Sequence, residues 1–105
     1  MAVGDTPVLD ALAAINAVSL ERTELDPQSL VLVRLAALVA VDAPAASYLV
    51  HVGPAADAGV TLEQAQDLLV AVAPIVGTPR TMAGAVKIAE ALDLALDLAE
   101  SAEDA

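Results

Sequence analysis

Apolar residues recur along this chain three and four positions apart, and prolines, glycines and capping side chains punctuate them into five blocks. That spacing is the period of a helix. Apolar and polar residues never alternate for long, and the β-branched residues fall inside apolar runs of helical length, so no strand is predicted. "DTPVLDALAAINAVSLE" (5–21) predicts a first helix, capped by Asp5 or Thr6, with Pro7 in its first turn and Val8, Leu12 and Ile15 on one stripe. "LDPQSLVLVRLAALVAV" (25–41) predicts a second, capped by Asp26 and opened by Pro27. It is apolar almost all round, which marks a central, buried helix in which Arg34 is the only charge.

"DAPAASYLVHVGPAADAG" (42–59) predicts a third helix, with Asp42 or Ala43 ahead of Pro44 and Gly59 as its stop. Pro54 cannot donate to the carbonyl of Val50, so a kink or break is expected near Gly53. "TLEQAQDLLVAVAPIVG" (61–77) opens with Thr61 and carries Gln64 three residues on, the capping-box pattern. Pro74 threatens its last turn. "TPRTMAGAVKIAEALDLALDLAE" (78–100) predicts the longest helix, capped by Thr78 with Pro79 behind it. Ile88, Leu92, Ala95, Leu96 and Ala99 form one face, and Glu90, Asp93, Asp97 and Glu100 the solvated one. "SAEDA" reads as a frayed acidic tail. The short connections around the third helix favour antiparallel neighbours. The expectation is one compact all-α domain over residues 1–105, about five helices with a central antiparallel helical hairpin.

Composition adds a second expectation. Hydrophobic residues make up 58% of 105 residues and charged ones 18%. So small a monomer cannot hide that much aliphatic surface, which predicts a helical homo-oligomer. The longest apolar run, 30–41, is broken by Arg34 and falls short of the roughly 20 residues a membrane span needs. "MAVGDTP" has neither a basic nor an apolar leader region, so a cytoplasmic setting is expected. A net charge of -11 argues against nucleic-acid and anionic-membrane partners. The chain has no cysteine, which excludes disulfides, thiolate nucleophiles and cysteine-bound zinc. Its single histidine excludes a histidine-rich metal site except on a symmetry axis. No cofactor and no metal is expected.

Three stretches, in order, carry a resemblance. These are "LDPQSLVLVRLAALVAV", "HVGPAADAGVTLEQAQDLL" (51–69) and "GTPRTMAGAVKIAEAL" (77–92). Together, over about residues 25–92, they resemble the carboxymuconolactone decarboxylase family, which includes the alkyl hydroperoxidase D-type proteins. The resemblance implies an all-α protomer, a trimer or hexamer, and an active site around the histidine of the third helix. The family's peroxidase branch carries C-x-x-C-x-x-x-H. Counted back from His51, those cysteine positions hold Ser47 and Pro44, so thiol peroxidase chemistry is lost. The glutamate that accompanies them falls at Val31 or Leu32. The decarboxylase branch needs no thiol and acts on a carboxylated lactone through histidine. His51 matches its histidine, while a second histidine of that branch falls near Ala71.

His51 is therefore the candidate general acid or base, against the plainer reading of a packed, hydrogen-bonded histidine. Tyr48, one turn earlier, is a candidate substrate-binding group or a core tyrosine with its hydroxyl tied to backbone. Ser47 is a weaker nucleophile candidate, since no motif offers an oxyanion hole. Arg34 either pairs with a carboxylate such as Asp42, Asp57 or Asp67, or grips the carboxylate of a substrate. Arg80 sits in the first turn of a helix, against the favourable dipole direction, and is a second candidate for a substrate carboxylate. Three functions remain open. One is a cofactor-free lyase or isomerase acting on a small carboxylated lactone or ring acid. The others are a catalytically inactive oligomeric binding or scaffold protein, and a binder of apolar small molecules between protomers.

Overall fold

A computed structural model describes residues 6–104, and those residues form five helices and no strand. They are α1 (Pro7–Arg22), α2 (Pro27–Ala40), α3 (Ala45–Asp57), α4 (Leu62–Val76) and α5 (Thr78–Asp104). Two helix starts follow their expected caps, while α3 starts behind Pro44 rather than behind a side-chain cap at Asp42 or Ala43, and Thr78 is the first residue of α5 rather than its cap. Asp26 accepts from the Ser29 backbone N–H at 2.8 Å, ahead of Pro27. Thr61 and Gln64 close the predicted box, at 3.1 Å from the Gln64 N–H to Thr61 Oγ1 and 2.9 Å from the Thr61 N–H to Gln64 Oε1. Thr6 occupies the cap of α1 without a capping bond; its hydroxyl donates to Asp10 instead. Asp5, the other cap candidate, lies outside the described residues.

Both ends of the α2–α3 hairpin stop in the same way. After α2, the N–H of Ala43 reaches back to Leu38 O at 3.0 Å and that of Asp42 to Val39 O at 3.2 Å. After α3, Val60 bonds Ala55 O and Gly59 bonds Ala56 O. Each is a Schellman closure, which needs a left-handed residue. Gly59 supplies it at φ 74°, as its position predicts, and Asp42 supplies it at φ 53°. Asp42 holds that position while accepting from Lys87 Nζ at 2.9 Å.

The hydrogen bond and charge of Lys87 hold the Asp42 carboxyl below its ordinary value of 3.8, and the Ser29 bonds do the same for Asp26. Lowered carboxyls contribute stability that is complete above the unfolded value and lost as pH falls through the folded one. Melting temperature should accordingly fall as pH is taken from 5 toward 2, and less steeply in Asp42→Asn, which keeps the left-handed turn. An equal slope in both proteins would remove Asp42 from the account.

Helix α2 is central, as its composition predicts. Val31, Leu35 and Val39, four apart, are buried together with Ala43, Tyr48, Leu68 and Ala91. Burying each large side chain contributes about 1.5–3 kcal/mol. Its opposite face is open, however, with Val33 and Val41 exposed. Helices α2 and α5 each pack on the other members of the α2–α5 unit, but α3 and α4 never bring their backbones within 8 Å. The short turn between them does not make them packed neighbours as loop length predicts, because a cavity occupies the space between them.

Three further expectations change. Of the kink or break expected near Gly53, the break does not occur: helix α3 continues through Pro54 to Asp57. Helix α5 continues to Asp104 rather than fraying after Glu100, since no breaker follows Gly84. Its predicted apolar face is only partly used: Ile88 and Ala95 are half-buried, while Leu92, Leu96 and Ala99 are exposed. The stripe Val8, Leu12, Ile15 on α1 does form, but it packs on no other helix among the described residues, and every residue of α1 is exposed. No helix among the described residues is long and apolar enough to cross a membrane.

Candidate active site

The cavity between α3 and α4 has a volume of about 160 Å³. Leu35 of α2, Val52 and Ala55 of α3, and Ile88 and Ala91 of α5 make its aliphatic walls. Its polar members are His51, Tyr48 and Thr61, and no carboxylate, arginine or lysine lines it. An apolar cavity of about 150 Å³ accepts a single six-membered ring. Thr61 is engaged in its capping box. Gln28 fastens that rim from α2, donating to Gly59 O at 3.2 Å and accepting from Gln64 Nε2 at 3.0 Å.

His51 is half-buried at this cavity. Its Nδ1 lies 2.7 Å from the backbone carbonyl of Ser47. A carbonyl only accepts, so Nδ1 carries the proton. In the neutral ring Nε2 is then the free base, and it has no hydrogen-bond partner among the described residues. Helical geometry produces this bond, because residue 51 stands one turn beyond residue 47.

Tyr48 is 2% exposed and fills the core beside the cavity. Its hydroxyl is buried without a partner, rather than tied to backbone. Burial, and secondarily the charge of Asp42, pushes the phenol above its usual 10.0. An unsatisfied buried hydroxyl costs about 1–3 kcal/mol. Tyr48→Phe should thus stabilise the protein by about 1 kcal/mol, read as a higher urea midpoint at unchanged slope. A loss of stability would show that the hydroxyl has a partner after all. The sequence signal that was passed over is Gly84, a lone glycine inside α5. A β-carbon there would stand 2.9 and 3.2 Å from the Val39 methyls and 3.4 Å from the Tyr48 hydroxyl.

The arginines are not brought to His51. Arg34 donates to Asn16 Oδ1 at 2.6 Å and Ser19 Oγ at 2.9 Å, both on α1, and pairs with none of Asp42, Asp57 or Asp67. Arg80 donates to Ala40 O at 2.6 Å. Lys87 reaches Ala43 O at 2.9 Å as well as Asp42. Arg80 thus serves the last carbonyl of α2, where a cation is favourable, which accounts for its position in its own helix, and Lys87 serves the turn that follows. With Arg22 in the last turn of α1, all four lysine and arginine side chains lie away from the cavity. Ser47 offers the site its carbonyl; its side chain does not line the cavity.

These features define an all-α protein that presents one imidazole, of fixed tautomer, at an aliphatic cavity the size of a small ring, with no thiol in the chain. The carboxymuconolactone decarboxylase family model matches residues 6–91, and the chain belongs to that family. The match includes α1, which the motifs read from the sequence did not reach. No curated protein and no solved structure matches the chain.

Proposed function

We propose that this family member is a cofactor-free lyase or isomerase that uses His51 as general acid and base on a small lactone or ring acid. The observation that carries the reading is the free Nε2 of His51 at an otherwise aliphatic cavity of ring size. In isomerisation, Nε2 takes a proton from the carbon next to the carbonyl. The electron pair moves into the conjugated system, and the same proton returns at another carbon. In decarboxylation, the ring first takes a proton from water at Nε2; the bond to the carboxylate then breaks, CO₂ leaves, and the pair remaining on carbon takes that proton, returning the imidazole to its neutral form. Aliphatic walls disfavour the charged carboxylate and so favour its loss as neutral CO₂. With Arg34 and Arg80 elsewhere, a substrate with one carboxylate suits this site better than one with two. The chain works as a homo-oligomer, a reading supported by the exposed leucines of α1 and α5.

The test exploits the single histidine. The Cε1–H of its imidazole gives one proton signal, which small lactones and cyclic monoacids should shift on titration, with product formation followed in the same tube. Failure of a broad panel to move that signal would reject the site. The second reading, an inactive binding member, rests on the nearly complete aliphatic lining. It predicts ligand-induced shifts without product.

A further inference from the structure

Helix α1 has a specific place to go. Val8, Leu12, Ile15 and Ser19 follow one another at steps of four, three and four, so they form one stripe of α1. On α2 and its C-cap, Leu30, Arg34, Ala37 and Val41 repeat the same steps, about a third of a turn round from the buried Val31, Leu35 and Val39. The Arg34 bonds to Ser19 and Asn16 turn the two stripes toward each other. Yet the helices do not pack: their backbones stay more than 8 Å apart, and Leu12, Ile15 and Val41 are 57%, 65% and 70% exposed. Two stripes of equal spacing, apolar but for Ser19 and Arg34, therefore lie on neighbouring helices that do not pack, linked by one guanidinium.

The surface area gives the size of what is missing. The chain exposes 7210 Å², whereas a folded monomer of its 10.5 kDa exposes about 5,400 Å². The surplus, about 1,800 Å², exceeds the roughly 800 Å² per partner of a standard interface. A seam that matches its own chain's spacing, and occurs once per chain, suits a two-fold contact in which each copy supplies the same parts.

We propose that the unpacked stripes of α1 and α2 receive α1 of a second copy, so that two copies interlock through them. This rests on the self-association put forward above and specifies its surface. Leu12 and Ile15 touch nothing in the α2–α5 unit, so charging them leaves that unit intact. The full chain should sediment as two or more copies at micromolar concentration, and the double variant Leu12→Asp, Ile15→Asp as one copy with its cooperative melting retained. Because the chain lacks cysteine, contact can also be read directly. Chains carrying Leu12→Cys, mixed with chains carrying Ala37→Cys, should be joined by a short bis-maleimide into a species of twice the mass. A monomeric parent would overturn both this contact and self-association. An assembly that keeps its size in the double variant would overturn the α1 contact alone. So would joining seen only within single chains that bear both cysteines, which would mean that α1 closes on its own α2.

Discussion

Replacing His51 with alanine should lower kcat by about 10²–10⁴-fold on whichever lactone or ring acid proves to be the substrate, the usual worth of a positioned general acid or base. KM should change little, since the aliphatic walls, not the imidazole, provide most of the contact area. A fall in kcat with KM preserved is the signature of an interaction made mainly in the transition state. The fold should be unaffected: the ring bonds only the carbonyl of Ser47, one turn away on the same helix. Unchanged kcat in a folded His51→Ala protein would end the acid–base reading and leave the cavity as a binding site.

The largest effect on stability is expected at Gly84. Val39 is fully buried, so its methyls have nowhere to retreat from a new β-carbon at 2.9 Å. Overpacking of this kind costs about 1–3 kcal/mol, against which alanine recovers about 1 kcal/mol of helix propensity. Gly84→Ala should therefore lose up to about 2 kcal/mol net, or on the order of 10 °C in melting temperature. Val39→Ala alone opens a void and destabilises as well. Combined, the two changes should cost less than their sum by at least about 1 kcal/mol, because the removed methyls are the ones in the way. A Gly84→Ala protein as stable as its parent would show that α2 and α5 yield there freely.

The helices were legible because this sequence marks their boundaries with side chains that act locally: Asp26 before Pro27, Thr61 with Gln64, Gly59 after α3. Asp42 in a left-handed turn was less legible, since glycine is the usual signal and aspartate mostly signals a helix start. The candidate site was half legible. His51 and Tyr48 could be placed at the same site because one helical turn separates them. Arg34 and Arg80 could not be placed, because their partners are 18 and 40 residues away in sequence. The cavity itself leaves no local trace. It arises because α3 and α4, though joined by a short turn, are held apart on either side of α2 and α5, and packing distance is not written in the spacing of apolar residues. Likewise, the stripe on α1 was readable as a stripe, but periodicity does not say whether the surface that covers it belongs to the same chain.

The hold on the His51 ring has an evolutionary corollary. The group that fixes its tautomer is a peptide carbonyl, which every amino acid at position 47 brings with it. The aim of the imidazole is thus independent of the side chain there. Ser47→Ala should leave it as it is, and a lineage is free to exchange a thiol for a hydroxyl at that position without disturbing the base one turn on. Loss of one chemistry and retention of another then require no compensating change.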